Sequence, residues 1–253
     1  MTMTYHFPIG GSTIGRTLVC PGWVQLTRNM PRTSSAAADR GTLLHSAMDR
    51  IIKRGLKPEN TIGMTYEGQV ITEAEYKTAI VPALKAYKEF SRGLERHEIK
   101  SEVQVRFNDD VGGTADIIGQ KGMLARLGDF KFGWIEVSVA SNAQLMFYAA
   151  AALACGKLKP FKKARLAIIQ PTRKKILDEH VETDKSIAAF ARDVLHISRI
   201  ALHAKKPALK PTKKGCLFCP ADGKCPAQGV GSLTSVLQDK TLKNKLDTGF
   251  FAR

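Results

Sequence analysis

GGTADIIGQKGMLARLGDFKFG, residues 112–133, is the stretch whose reading decides the fold. Lys121-Gly122 is a tight turn between two apolar runs, 112–120 and 123–133. Just upstream, SEVQVRF (101–107) alternates with a period of two. The three segments are read as an antiparallel meander. Each of the two later runs carries one aspartate among apolar or glycine neighbours, Asp116 and Asp129. Alternate residues of a strand share a face, so Asp129 and Lys131 point one way and Phe130 points into the core. The meander brings Asp116 beside them. Two carboxylates held together are costly unless a cation joins them. Hard oxygen donors suit Mg2+ or Mn2+. Such an ion, with a lysine at hand, can activate water and stabilise the charge that grows on a scissile phosphate. The bland alternative, two surface acids in a hairpin, explains either aspartate alone. It does not explain Asp, then Asp-x-Lys, then a helix with a polar pair on an apolar surface.

That helix is read over Asn142–Ala154, with Ser141 or Asn142 as N-cap and Gly156 just past its end. Gln144 and Tyr148 lie four apart, hence on one face, among residues that are otherwise almost all apolar. Both need partners: a core hydrogen bond between them, the reactive site, or DNA. ARLAIIQP (164–171) reads as a buried central strand, 175–184 as a further strand and 185–204 as a long helix. Upstream, 36–54 reads as a helix with Leu44, Ala47, Met48 and Ile51 on one face and Gly55 as its stop. His45 sits at the edge of that stripe. It is a satisfied core histidine unless the helix packs across the aspartate pair, when it becomes a ligand. A second helix is expected over 73–92, broken or kinked at Pro82, and residues 1–15, rich in Thr and Gly, are expected to be irregular. The order of elements predicts an α/β fold with a mixed central sheet flanked by helices.

The bulk numbers fit. A formal net charge of +16, from 39 Lys and Arg against 23 Asp and Glu, favours a polyanionic partner. Acidic membranes or proteins would also attract it. The lysine and arginine runs at Lys157, Lys159, Lys162, Lys163 and Arg165, at Arg173–Lys175, and at Lys205, Lys206, Lys210, Lys213 and Lys214 are individually solvated faces. Together they could rim a channel for a nucleic-acid strand. Trp23 and Trp134 are read as core residues, with base stacking as the alternative. Met1–Gly11 holds no Lys, no Arg and no apolar run, and the most apolar stretch, 143–155, is too short to span a bilayer. A cytoplasmic protein is expected, with no membrane partner.

The five cysteines are an odd number, which argues against a disulfide framework. Cys216-x2-Cys219-x5-Cys225 supplies three ligands, and distant Cys20 can supply a fourth. Spacing alone admits zinc as readily as iron and sulfur. Either would tie the two ends of the chain together and stabilise the fold by restricting the unfolded state. Cys155 is read as a buried free thiol. The organisation expected is a core over 1–204, a cysteine lobe over 205–230 tied to Cys20, and a tail over 231–253.

The series His45, Gly113-x-x-Asp116, Asp129-x-Lys131 and Gln144-x-x-x-Tyr148 resembles the motifs of RecB-like nucleases of the PD-(D/E)XK superfamily. Its order and spacing are similar to those of the CRISPR-associated RecB-like exonucleases and the AddB nuclease domain, over residues 16 to 227. The short form, with CPGWVQLTRN near its start, also resembles phage and prophage proteins. The resemblance implies a restriction-endonuclease-like core and a metal-dependent deoxyribonuclease, an exonuclease on linear or single-stranded DNA in phage recombination, repair or genome processing. A structure-specific endonuclease and a non-catalytic nucleic-acid-binding scaffold with a zinc-stapled fold are the alternatives. It further implies Asp116, Asp129, the Phe130 carbonyl and His45 as ligands of Mg2+ or Mn2+, and Lys131 as the catalytic lysine. Gln144 and Tyr148 would orient substrate or the site. Cys20, Cys216, Cys219 and Cys225 would hold a [4Fe–4S] cluster, with Zn2+ as the alternative. The partners implied are DNA and, in a phage, a recombination or single-strand-binding protein, in the host cytoplasm. These families often carry a large helicase-type region, and this chain has none, so ATP-driven resection by this chain alone is not expected.

Overall fold

The computed structural model describes residues 7–31 and 34–228; the tail expected over 231–253 lies outside them. The strands are β1 (Ile9–Gly10), β2 (Thr65–Tyr66), β3 (Gln69–Val70), β4 (Ile99–Arg106), β5 (Val111–Lys121), β6 (Leu124–Phe130), β7 (Lys163–Ile169) and β8 (Leu177–Thr183). The helices are α1 (Gly11–Val19), α2 (Trp23–Leu26), α3 (Ala36–Arg54), α4 (Glu73–Glu75), α5 (Val81–Phe90), α6 (Ala143–Ala154), α7 (Asp184–His203) and α8 (Lys213–Cys216). Two compact units emerge. The first holds residues 7–12 and 34–192, the second residues 13–31 and 193–228.

The first unit is a mixed α/β layer structure. Its six-stranded sheet runs β4-β5-β6-β7-β8, with β1 added alongside β5. The meander β4-β5-β6 is antiparallel as read from sequence, whereas β6 and β7 are parallel. A parallel pair needs a crossover, and α6 provides it. β5 and β6 pair only as far as Ile117 opposite Gly128. Beyond that point they part, and β1 pairs with β5 at Val111 and Gly112 instead. Asp116 and Asp129 are the next residue on each strand past the split.

α3 forms where its apolar spacing predicts. Ser35 caps it by accepting the Ala38 N–H at 3.2 Å, and Gly55, at φ +68°, closes it in the left-handed conformation. Its buried stripe of Leu43, Leu44, Ala47 and Met48 packs with Ile80, Ala83 and Phe90 against Ile117, Phe130 and Ile169 of the sheet. Pro82 does not break the helix expected over 73–92. The chain stays helical from Glu73 to Phe90 by widening into a π-turn at Tyr76–Ile80 just before the proline. The wider turn absorbs the ring and the missing N–H.

Residues 1–15 are expected from sequence to be irregular, yet from Ile9 onward the chain forms β1 and then α1. Gly11 and Gly15 are poor helix formers, yet Ile9, Ile14 and Thr17 are completely buried, and packing overrides propensity. In the second unit Trp23 is buried as expected, its indole N–H donating to Thr17 Oγ1 at 3.0 Å. Gln25 donates to the carbonyls at the end of α7, Ala204 at 2.9 Å being the closest. No helix of the described residues is long and apolar enough to cross a membrane.

Candidate active site

The split between β5 and β6 gathers four elements. Asp116 lies at the split on β5, Asp129 one residue before the end of β6, and Lys131 one residue after it. Gln144 and Tyr148 come from the crossover helix α6, and His45 from α3. Asp129 is 1% exposed and Asp116 8%, so neither carboxylate leans on water. Asp116 Oδ2 accepts the Phe130 N–H at 2.7 Å and lies 3.2 Å from His45 Nδ1. Asp129 Oδ2 is 2.7 Å from the Lys131 ammonium. Gln144 knits the pair together: its Nε2 donates to Asp129 Oδ1 at 2.8 Å and to the Tyr148 hydroxyl at 3.2 Å, and its Oε1 accepts from Lys131 at 3.0 Å. The polar pair on the apolar helix is thereby bonded to the carboxylate–lysine pair.

The charges answer one another. Burial alone would push His45 below its ordinary value. The charge of Asp116 and the hydrogen bond to it, with Asp129 behind, outweigh burial and hold the imidazole above that value. Asp116 moves the opposite way: burial raises it, but His45 and the Phe130 N–H bring it below the usual carboxylate range. Burial, aided by the charge of Asp116, pushes Asp129 up against the pull of Lys131. Lys131 stays above its ordinary value because Asp129 offsets its burial.

Glu102 completes the cluster, and the sequence reading missed it. It stands on β4 between Ser101, paired with Ile117, and Val103, paired with Ala115, which sets it opposite Asp116. Its φ of +48° is foreign to a strand and departs from the regular alternation. Ligand atoms of His45, Glu102 and Asp116 all lie within 4.8 Å of one another. Burial, then the charge of Asp116, pushes the Glu102 carboxyl up to about 7. One signal was available: an acid in SEVQVRF at the position the meander register places across from Asp116.

Two glycines make room for this arrangement. A Cβ on Gly11 would fall 2.3 Å from Tyr148 Cε1, and one on Gly113 3.2 Å from the same atom. The loop after Lys131 is pinned by buried Gln170, whose Nε2 donates to the Gly133 and Ile135 carbonyls, both at 2.8 Å. Trp134, read as a core residue, lies on this loop and is 43% exposed. Its carbonyl accepts from Arg173 at 3.0 Å.

The basic runs fare differently from expectation. Within the first unit Arg165 pairs with Glu179 at 2.6 Å, Lys162 with Asp184 at 3.7 Å and Arg173 with Glu136 at 3.5 Å, and Lys175 is bound to Asp178. Those cations are committed to neighbouring acids rather than free to rim a channel. Cys155, read as a buried thiol, is only half-buried just past α6.

In the second unit Arg16 is the hub of the cysteines. Burial lowers its pKa, and Cys219, Cys216 and Cys20 all act on it electrostatically in the opposite sense. Its guanidinium donates to the Gly215 carbonyl at 2.7 Å and the Leu217 carbonyl at 2.8 Å, and lies 5.1 Å from the centre of the Trp23 ring. Cys20 Sγ accepts the Lys210 N–H at 3.2 Å. Among the described residues no three cysteine sulfurs lie within 4.8 Å of one another.

A family model described as "Protein of unknown function (DUF2800)" matches residues 6–252. The chain belongs to the DUF2800 family. Among solved structures, this DUF2800 protein is similar to one from Eubacterium rectale named "Putative exonuclease", at 13% identity and a TM-score of 0.49, over 93% of this chain and 97% of that one. It is also similar to a phage related exonuclease from Haemophilus somnus 129PT, at 13% identity and a TM-score of 0.36, over 78% of this chain and 94% of that one.

Proposed function

We propose that the protein is a metal-dependent deoxyribonuclease of the PD-(D/E)XK type, acting on linear or single-stranded DNA as an exonuclease. The observation that carries this reading is the convergence of His45, Glu102, Asp116, Asp129 and Lys131 at one split between strands. Three carboxylates meet only two cationic groups there, and that excess of negative charge is what a divalent cation offsets. The donor set of one imidazole nitrogen and several carboxylate oxygens accepts Mn2+ and Mg2+. His45, Glu102 and Asp116 would hold the ion, with Asp129 and the Phe130 carbonyl as the further ligands that the motif series implies. When bound, the ion supplies Lewis-acid activation of a phosphodiester for hydrolysis.

The chain's own groups do the rest. Lys131 is held between two acceptors, Asp129 Oδ2 and Gln144 Oε1, so it serves as a charged donor to the phosphate oxygens rather than as a base. Gln144 is a positioning residue: it fixes the second oxygen of Asp129 and the Tyr148 hydroxyl at once. Such partners of reactive carboxylates keep them in one orientation. The buried Phe130 ring anchors the strand between Asp129 and Lys131.

For the cysteines we propose a [4Fe–4S] cluster on Cys20, Cys216, Cys219 and Cys225, structural rather than reactive. The four cysteines suit such a cluster, and Arg16, on which Cys20, Cys216 and Cys219 all act electrostatically, would offset part of its negative charge. A phage recombination, repair or genome-processing role, in the host cytoplasm, fits an enzyme of this kind.

The test is digestion by anaerobically purified protein in Mn2+, comparing linear single-stranded, linear duplex and covalently closed circular DNA. Degradation of the linear substrates alone supports the exonuclease. Cleavage of the circle replaces it with an endonuclease. No cleavage of any substrate by folded, cluster-loaded protein overturns the nuclease reading and favours a DNA-binding scaffold.

A further inference from the structure

A groove of about 640 Å3 runs along β4, lined by Lys53 of α3, Arg96, Lys100 and Arg106 of the β4 segment, and Lys157 beyond α6. Its one acid is Glu102, the same residue that belongs to the metal-ligand group. The groove therefore borders the reactive centre at a shared side chain. β4 pairs with β5 and, among the described residues, with no other strand, so the groove follows an edge of the sheet. Arg106 pairs with exposed Asp109 at 3.0 Å. Lys53, Arg96, Lys100 and Lys157 are in no salt bridge among the described residues. Of the eight first-unit members of the basic runs, Lys162, Arg165, Arg173 and Lys175 are paired with acids, and the unpaired Lys157 is the one that lines the groove.

Five cations face one carboxylate, with Lys100 and Arg106 on β4 itself, a strand of roughly 26 Å, and Lys53, Arg96 and Lys157 beside it, which is room for several phosphates. No aromatic residue lines the groove, so it offers no stacking platform for bases.

We propose that this groove is the track of a single DNA strand, gripped by its phosphates without base preference, leading to or from the site beside Glu102. The proposal rests on the nuclease reading for its choice of polyanion. Binding through phosphates alone is counterion release, so affinity falls with salt by about 0.7 log units per contact per log unit of salt on single strands.

The experiment is fluorescence anisotropy of a labelled 20-nucleotide oligothymidylate with the full chain, without Mn2+, over a salt series. Lys100→Ala/Arg106→Ala should reduce the salt slope by about 1.4 and weaken binding roughly 25-fold at 0.1 M salt, which is 0.1 raised to the power −1.4. Lys53→Ala/Lys157→Ala, removing two cations from the helical wall, should do the same. Lys85→Ala/Lys88→Ala, an equal loss of charge elsewhere, should leave the slope unchanged. Circular dichroism identical to wild type certifies each fold. Groove variants whose slope matches the Lys85/Lys88 control overturn the proposal. So does competition by polyglutamate of equal charge as strong as that of the oligonucleotide, since the surface would then take any acidic chain. Cleavage, measured separately in Mn2+, keeps the two readings apart. Wild type that cleaves while groove variants bind and cleave normally sinks the track alone. Wild type that binds through the groove but never cleaves sinks the nuclease and leaves the track standing.

Discussion

Around Asp129, side chains from a strand end and a crossover helix converge through direct hydrogen bonds, and both carboxyl oxygens are engaged, one by Lys131 and one by Gln144. Around the cysteines, among the described residues, there is no comparable web. Cys20, Cys216 and Cys219 sit on short segments, and what unites them is a shared electrostatic neighbour, Arg16, that is itself tied to backbone carbonyls. The first centre is finished by the fold. The second, on the cluster proposed for it, would be finished by what its cysteines hold. Removing a group from the first should change chemistry and spare the structure, and removing one from the second should do the reverse.

Lys131→Ala should give the largest effect, a loss of about 10^3 in cleavage rate, in line with the removal of one preorganised charge donor. Its melting temperature should stay within a few degrees of wild type. A variant that unfolds instead would mean that the lysine holds the strand end together and that the two centres are not as different as claimed. Cys219→Ser should come next, costing about 2–5 kcal/mol by analogy with other cross-links that close long loops. It should remove the visible absorption that the proposed cluster would give and expose the second unit to protease. A Cys219→Ser protein that stays folded and colourless yet fully active would remove the structural role altogether.

Gln144→Ala sharpens the comparison within the first centre. A residue that acts through its neighbours should cost about 10- to 100-fold in activity, and Gln144→Glu should recover little, because its carboxylate cannot donate to Asp129. Loss of activity with unaltered Mn2+ binding, read by calorimetry, separates positioning from ligation. Gly11→Ala drives a methyl group into the Tyr148 ring and should cost about 1–3 kcal/mol as overpacking, visible in urea unfolding, with a smaller loss of activity.

The smallest effect lies in neither centre. Asp178 accepts from Lys175 and from the Val139 N–H at 3.4 Å. The Lys175 hydrogen bond, against some burial, holds its carboxyl below the ordinary 3.8. A carboxylate depressed on folding stabilises the protein above its unfolded value, and that contribution is lost as pH falls through the folded one. Asp178→Asn should therefore cost about 0.5 kcal/mol at pH 7, reduced by solvent screening, and nothing at pH 2. An equal cost at both would assign the effect to packing.

Much of this was legible in the chain. The meander and α3 could be read because period-two and 3.6-residue spacing are local signals, and Asp116, Asp129 and Lys131 could be read because their acids interrupt apolar runs. Glu102 was not, because its role depends on a cross-strand register and on a backbone twist that no local pattern announces. α1 was missed because glycine-poor propensity is overruled by burial that only the tertiary structure supplies. The basic runs misled for a related reason. Charge clusters along the sequence, but Glu179, Asp184 and Glu136 reach those cations only in the folded chain, while the cations of the β4 groove, of which Lys157 alone belongs to a run, are scattered over a hundred residues of sequence.

The most direct test is single-turnover cleavage of end-labelled single-stranded DNA over a Mn2+ titration, wild type against Lys131→Ala, with Mn2+ binding to each followed by calorimetry. The account predicts saturable Mn2+-dependent cleavage by wild type. The variant should bind Mn2+ comparably and cleave about 10^3 times more slowly. Equal rates in the two proteins, or cleavage indifferent to Mn2+, would contradict it and move the chemistry away from the split between β5 and β6.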